Sequence, residues 1–186
     1  MKALMLIGAR ANGSTDALCK QWEKGFLENK ENTLTKVYLF NRHINGCLGC
    51  RQCRKTGTCV WKDDAPEILE QILEADILVF ASPIYFYSVS AQLKLILDRT
   101  FCIEEKIKHK KTFFISSCAA PDIEKYQKFL HVILDTYYGY IQCYHGEMED
   151  LGYIVSYGMA MESDITKHDA YVLSYQKGIE IGNLIP

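Results

Sequence analysis

The chain has 186 residues, 48% of them hydrophobic, which suits one compact domain over residues 1–186 with a full core. Its 21 basic and 23 acidic residues leave a formal net charge of −2, a balance in which nothing suggests a binder of nucleic acid or another polyanion. No apolar stretch reaches the roughly 18–20 residues of a membrane span. The short run Met1–Gly8 leads straight into Arg10 and Asn12, so it reads as a strand rather than a signal peptide. Without a secretion signal the eight cysteines point to a reducing cytoplasm, where clustered cysteines mean metal or redox function more often than disulfides.

Apolar runs of strand length recur along the chain with helical patterns between them. A first strand over Ala3–Ile7 leads into a helix capped by Ser14 or Thr15 and running to about Leu27, with Leu18, Trp22 and Phe26 on one face. A second strand over Leu34–Phe40 precedes a long connection, Asn41 to Lys62. Asp63 or Asp64 then caps a helix with Pro66 in its first turn and a stripe of Ile68, Leu69, Ile72 and Leu73. The third strand is Ile77–Ala81, and Ser90 opens a helix with Leu93, Ile96 and Leu97 facing inward. Strands over Thr112–Ser116 and Tyr140–Tyr144, and helices over Glu124–Tyr138 and Thr166–Ile181, complete the pattern. Five strands alternating with five helices predict a parallel α/β sandwich. Ligands of such sheets bind beyond the carboxyl ends of the strands, and the turns after Gly8, Phe40, Ala81 and Ser116 all open there.

Three of these connections carry unusual chemistry. Gly8-Ala9-Arg10-Ala11-Asn12-Gly13-Ser14-Thr15 joins a strand to a helix, where free N–H groups and the positive helix end suit a phosphate monoester. The dinucleotide fingerprint and the P-loop pattern are both missing, and the same residues also suit an ordinary capped turn. Ser82-Pro83-Ile84-Tyr85-Phe86-Tyr87 offers a stiff turn and three aromatic rings, the kind of wall a flat isoalloxazine ring needs. Three successive aromatics cannot all point inward, so at least one is expected to face a ligand, a partner or solvent. Between these segments Cys47, Cys50, Cys53 and Cys59 stand in a basic loop with Arg51, Arg54 and Lys55. Such spacing suits a 4Fe–4S cluster held by four thiolates. A zinc site, a redox thiol pair activated by the nearby cations, and a metal-free structural loop remain alternatives.

The phosphate turn is similar to the G-S-x-R-x-x-S/G-x-T loop of NADPH-dependent FMN reductases, with Ala9 in place of the serine. Ser82-Pro83-Ile84-Tyr85-Phe86, Ser90-Ala91-Gln92-Leu93-Lys94 and Leu97-Asp98-Arg99 resemble their S-P-x-Y and S-x-x-L-K-x-x-x-D-R segment. Cys47 to Asp64 resembles the compact cysteine stretch of the iron–sulfur flavoproteins of the same superfamily. The resemblance covers roughly the first 120 residues. It implies a flavodoxin-like three-layer sandwich with strand order 2-1-3-4-5, non-covalent FMN, and a homodimer or homotetramer. Carried over by position, Arg10, Asn12, Ser14 and Thr15 would hold the phosphate. Pro83, Ile84, Tyr85 and Phe86 would line the ribityl chain and ring, and Ser117, Cys118 and Ala119 would approach the ring's far side.

The function expected from these segments is a cytoplasmic NAD(P)H oxidoreductase that uses FMN to reduce a small acceptor such as a quinone, flavin, azo or nitro compound. No protein group is assigned as a catalytic acid or base, because the flavin carries the hydride at N5 and the protein supplies orientation and electrostatics. The five histidines are scattered and form no triad or metal pattern. The alternative is an electron carrier that takes electrons from ferredoxin through a cluster on Cys47, Cys50, Cys53 and Cys59. A third class is a non-enzymatic interaction protein on the same scaffold. No nucleic-acid or membrane partner is expected. Cys19, Cys102 and Cys143 read as ordinary buried thiols in apolar surroundings, Cys118 being set apart by its position near the cofactor; Asp98 and Arg99 read as a structural ion pair, and Tyr137–Tyr140 with Tyr144 as core or subunit interface.

Overall fold

The computed structural model describes residues 1–121, 124, 130–144, 146–159 and 164–184. Six strands form one sheet: β1 (Lys2–Ile7), β2 (Thr33–Tyr38), β3 (Ile77–Tyr85), β4 (Ser88–Val89), β5 (Lys110–Ser117) and β6 (Met148–Ser156). The order is β2-β1-β3-β5-β6, all neighbours parallel, and the two-residue β4 folds back antiparallel onto the end of β3. With β4 set aside, this is the 2-1-3-4-5 order of the flavodoxin-like fold. The α-helices whose bounds fall within the described residues are α1 (Ser14–Phe26), α2 (Gln52–Thr56), α3 (Ala65–Glu74), α4 (Ala91–Arg99), α5 (Leu130–Gln142) and α6 (Asp169–Gly182). No described helix is long and apolar enough to cross a membrane.

Successive side chains of a strand point to opposite faces, and in β1 both faces are buried. Ala3, Met5 and Ile7 pack with Leu18, Trp22, Phe26 and Ile181 under α1 and α6. Leu4 and Leu6 pack with Ile68, Ile72, Leu93, Ile96 and Leu134 under α3, α4 and α5. Continuous apolar runs in β1 and β3 therefore mean central strands covered on both sides. Trp22 stacks on Phe26 with ring centroids 4.7 Å apart, and both are fully buried. The α1–α6 crossing depends on glycine. A Cβ at Gly25 would stand 2.1 Å from the Tyr175 carbonyl oxygen, and one at Gly178 would stand 2.2 Å from that of Trp22.

Tyr140–Tyr144 is not a strand. These residues finish α5 and the turn after it, and the last strand begins at Met148. Tyr137, Tyr140 and Tyr144 recur at helical spacing and turn one aromatic face to the sheet. Tyr137 stacks on Phe114 at 5.3 Å and Tyr140 meets Phe80 edge-on at 5.4 Å. The true edge strand β6 escaped notice because it carries Glu149, Asp150 and Gly152 on a half-covered edge. Tyr137 and Tyr144 are buried, so this cluster is core rather than a rim of exposed rings. Of the helix expected over Glu124–Tyr138, residues 125–129 lie outside the described part, and the described helix continues to Gln142. The final helix starts at Asp169, after a 3-10 turn over Ile165–Lys167 that Asp164 caps.

Candidate functional site

A crevice of about 350 Å³ opens at the carboxyl edge of the sheet, where the chain ends of β1, β3 and β5 diverge. It is lined by Arg10, Asn12, Ser14 and Thr15 from the first turn, by Pro83, Ile84 and Tyr85 from the end of β3, and by Ser117, Cys118 and Ala119 after β5. Ala9, Gly13 and Met159 complete the wall. Ten of the eleven residues assigned to a cofactor site by resemblance thus share one cavity; Phe86 stands apart from it, at the tip of the β3–β4 hairpin. Met159 had no signal in the sequence. It arrives through the turn after β6, where its N–H donates to the Cys118 carbonyl at 2.8 Å.

The first turn is built to leave donors free. Neither Ser14 nor Thr15 caps α1; the cap position falls to Gly13, which has no side chain to cover the first N–H groups. The Thr15 hydroxyl instead shares a 2.7 Å hydrogen bond with Ser117, tying the floor of the turn to the end of β5. Asn12 takes a left-handed conformation (φ 61°), which asparagine tolerates better than most residues. Its N–H donates to Asp16 at 2.8 Å, and its side-chain oxygen accepts from Lys20 at 3.1 Å. Arg10 is exposed and arches over the helix start: a Cβ on Gly13 would lie 3.8 Å from its Nε. Among the described residues Arg10 has no ion-pair partner.

Asp16, which the sequence did not single out, shapes this turn. It is fully buried in the first turn of α1 and accepts from the Asn12 amide, Tyr38 and Lys20. Burial disfavours its charge, but the hydrogen bonds from Lys20, the Asn12 amide and Tyr38 outweigh it and hold the carboxyl below the usual carboxylate range. Its acceptor atoms reach back past the Gly13 cap to the loop, and no pattern in the sequence marks that contact.

At the opposite wall, Ser82 accepts from the Ser90 N–H at 2.7 Å, and the Ser90 side chain accepts from Leu93 to cap α4 as expected. A Cβ at Gly8 would collide with Ser90 Oγ at 2.4 Å, so the first turn and α4 fit together only with glycine there. Beyond the wall, Phe86 and Tyr87 occupy the two central hairpin positions with φ 48° and 61°. Such turns favour Asn-Gly, and bulky residues there store strain. Tyr85 is 57% exposed and Phe86 fully so.

The cysteine loop lies on the α3–α4 side. Its neck is closed by His43 and Asp64, whose backbones pair, and by Asp63, which accepts from the Asn45 amide at 2.9 Å. Arg99 is buried and bonds Asp63 at 2.7 and 3.1 Å and the Asn45 carbonyl at 2.9 Å. Asp98 instead pairs with Lys94, so the pair expected between Asp98 and Arg99 is replaced by Asp63–Arg99, the two residues that face each other across the neck. Cys47 and Cys50 are exposed, while Cys53 and Cys59 are half-buried. Among the described residues no three His, Cys, Asp or Glu side chains gather into a metal-holding group. Cys19 is buried as expected and Cys118 is buried as well, but Cys102 is half-buried and Cys143, in the turn after α5, is exposed. A second, larger cavity of about 560 Å³ lies between this loop and α5, bounded by Cys47, Arg51, Phe101, Tyr140 and Cys143.

A family profile described as NADPH-dependent FMN reductase matches residues 1–126. An iron–sulfur flavoprotein of Methanocaldococcus jannaschii is 37% identical over 101 residues, 54% of this chain and 52% of that protein. One of Archaeoglobus fulgidus is 36% identical over 104 residues, 53% of this chain and 45% of that protein. The chain thus spans about half the length of these curated relatives. The solved structure of an NAD(P)H:quinone oxidoreductase from Methanothermobacter marburgensis superposes with a TM-score of 0.75 at 17% identity, over 100% of this chain and 99% of the other.

Proposed function

We propose the function from one premise: the chain belongs to the NADPH-dependent FMN reductase family. It acts as an NAD(P)H oxidoreductase that holds FMN in the crevice at the carboxyl edge of the sheet and passes reducing equivalents to a small acceptor such as a quinone, a flavin, an azo or a nitro compound. The observation that carries this reading is the convergence of three chain-distant segments on one cavity of about 350 Å³, within the size range of cofactor sites. The donor set fits the cofactor. The uncapped start of α1 and the Arg10 guanidinium supply N–H groups and positive charge for a phosphate. Pro83, Ile84 and Tyr85 supply an apolar and aromatic wall, and Ser117 to Ala119 face it across the cavity.

When bound, FMN supplies the hydride-accepting chemistry. The chain's own residues anchor, orient and exclude water. Asp16 keeps the Asn12 turn in shape, Thr15 and Ser117 lock the floor, and Ser82 and Ser90 hold the aromatic wall in place. The test is direct. Protein reconstituted with FMN should show flavin absorbance and oxidise NADH or NADPH when a quinone is supplied. Absence of both activities with every acceptor class would reject the reading.

The names of the relatives favour a second reading, a carrier with an iron–sulfur cluster on Cys47, Cys50, Cys53 and Cys59. The four thiols are not gathered for it among the described residues: Cys47 and Cys50 are exposed, and Cys53 and Cys59 are half-buried. Holding a cluster would require the loop to rearrange. Anaerobic purification with iron and sulfide analysis separates the two: near-stoichiometric iron supports the carrier, and its absence supports the reductase.

A further inference from the structure

The cavity of about 560 Å³ between the cysteine loop and α5 shares no lining residue with the crevice at the sheet edge. Its volume falls in the range of small-molecule sites. One wall is the loop itself, through Cys47, Gly49 and Arg51. The other wall is Leu97, Thr100 and Phe101 around the end of α4, with Tyr140, Cys143 and Tyr144 from α5 and the turn after it. The loop wall is fastened in place. Arg54 forms ion pairs with Glu104 and, at 2.7 Å, with Glu105. Its guanidinium also lies over the Phe101 ring, 4.3 Å from the centroid.

The polar groups of this cavity are spent on the fold, with one exception. The Thr100 hydroxyl donates to the Leu97 carbonyl at 2.7 Å, so it accepts from Tyr144 at 2.7 Å and from Tyr140 at 3.2 Å. Both tyrosine protons are thereby used internally and offer nothing to an anion. Of the two carboxylates on the wall, Asp98 pairs with Lys94 and Glu104 with Arg54. Arg51 is the exception: it is exposed and has no ion-pair partner among the described residues. Its φ of 55° is a left-handed conformation costly for a residue other than glycine, of the kind that clusters at ligand clamps.

We propose that this cavity is a second ligand site, for a flat aromatic carboxylate. Leu97, Phe101, Tyr140 and Tyr144 take the ring system, because aromatic walls gain most from a planar partner packed offset or edge-on. The carboxylate lies at the mouth on Arg51, whose planar fork matches two oxygens. A cationic ligand would meet Arg51 and two carboxylates already neutralised. Bound there, the ligand bridges the loop and α5. It covers Cys47 and Cys143 on the wall and leaves Cys50, which is exposed and off the wall, open. The proposal does not rest on the flavin reading, because its readout uses no turnover.

The experiment titrates FMN-saturated protein with naphthalene-2-carboxylate by calorimetry, then with the neutral naphthalene-2-carboxamide and with linear octanoate. A chain that takes up no FMN is titrated in the same way, so failure of the flavin reading leaves the test intact. The expected result is saturable binding of the carboxylate, about tenfold weaker binding of the carboxamide, and no saturable binding of octanoate. Arg51→Ala should weaken the carboxylate about tenfold and leave the carboxamide unchanged, with FMN affinity retained. With the carboxylate at saturation, iodoacetamide should label Cys47 and Cys143 several-fold more slowly and Cys50 at its former rate, read by peptide mass mapping. The proposal fails if the carboxylate does not saturate or displaces FMN, if Arg51→Ala binds it as tightly as the unmodified protein, if octanoate binds equally well, or if Cys47 and Cys143 are not shielded.

Discussion

Arg10 and Asp16 divide the work of the first turn. Arg10 is exposed and has no ion-pair partner among the described residues, so its charge faces the crevice mouth open to an anion. Arg10→Ala should remove a charge-assisted contact worth about 1.5–3 kcal/mol. Flavin titration should then show roughly ten- to hundredfold weaker FMN binding. The urea midpoint without FMN should hardly move, because no packed group is lost. Equal affinity in the variant would take Arg10 out of the site. Asp16 is the converse case. It is buried and satisfied by three donors, so its role is to shape the turn rather than to touch a ligand.

At the scale of elements, the loop neck and the α1–α6 crossing make separate predictions. Asp63 has its pKa lowered to about 2 from 3.8. Burial alone would raise it; the bonds from Arg99, the Asn45 and Ala65 amides and the Asn45 side chain overcome that term. A carboxyl depressed in the folded state contributes stability above its unfolded value and loses it as pH falls. Urea midpoints should therefore decline between about pH 4 and pH 2, by about 2 kcal/mol from this group. Asp63→Asn should remove that part of the slope. It should also cost about 3–5 kcal/mol at neutral pH, because Arg99 is left buried without its partner. A slope unchanged by the substitution would show that other carboxylates govern acid unfolding. At the crossing, Gly178→Ala places a methyl group against the Trp22 carbonyl, where backbone cannot yield as a side chain can. The expected loss is about 1–3 kcal/mol, read as a lower melting temperature with FMN affinity retained.

For the whole molecule, the β3–β4 hairpin offers the clearest sign of a missing partner. Phe86 is fully exposed at a strained turn position that favours asparagine or glycine. Strain of this kind persists where something else uses the side chain. A second subunit covering the hairpin would bury Tyr85 and Phe86 beside the crevice and close it to water. We expect a homodimer at micromolar concentration by sedimentation. Phe86→Asn should relax the turn, stabilise the isolated subunit by on the order of 1 kcal/mol, and shift the protein toward monomer. A dimer unaffected by Phe86→Asn would place the interface elsewhere.

The alternation of apolar runs in β1, β3 and β5 with amphipathic helices determined the parallel sandwich, because burial on both faces leaves no other pattern for a central strand. The phosphate and aromatic turns likewise placed Arg10, Asn12, Ser14, Thr15, Pro83, Ile84 and Tyr85 on one rim, and topology without a motif put Ser117, Cys118 and Ala119 beside them, since strand polarity brings those turns to the same edge. The edge strand β6 was illegible, because Glu149, Asp150 and Gly152 lack the apolar signal that a half-covered strand does not need. The tyrosines of α5 suggested a strand in its place, because aromatic residues suit both elements and only packing against Phe80 and Phe114 decides. The partners of charged groups were also beyond the sequence. Arg99 with Asp63 and Arg54 with Glu104 and Glu105 join residues separated by dozens of positions. Local spacing carries the period of a helix or strand, whereas such pairs exist only after long-range loop closure has brought the two stretches of chain together.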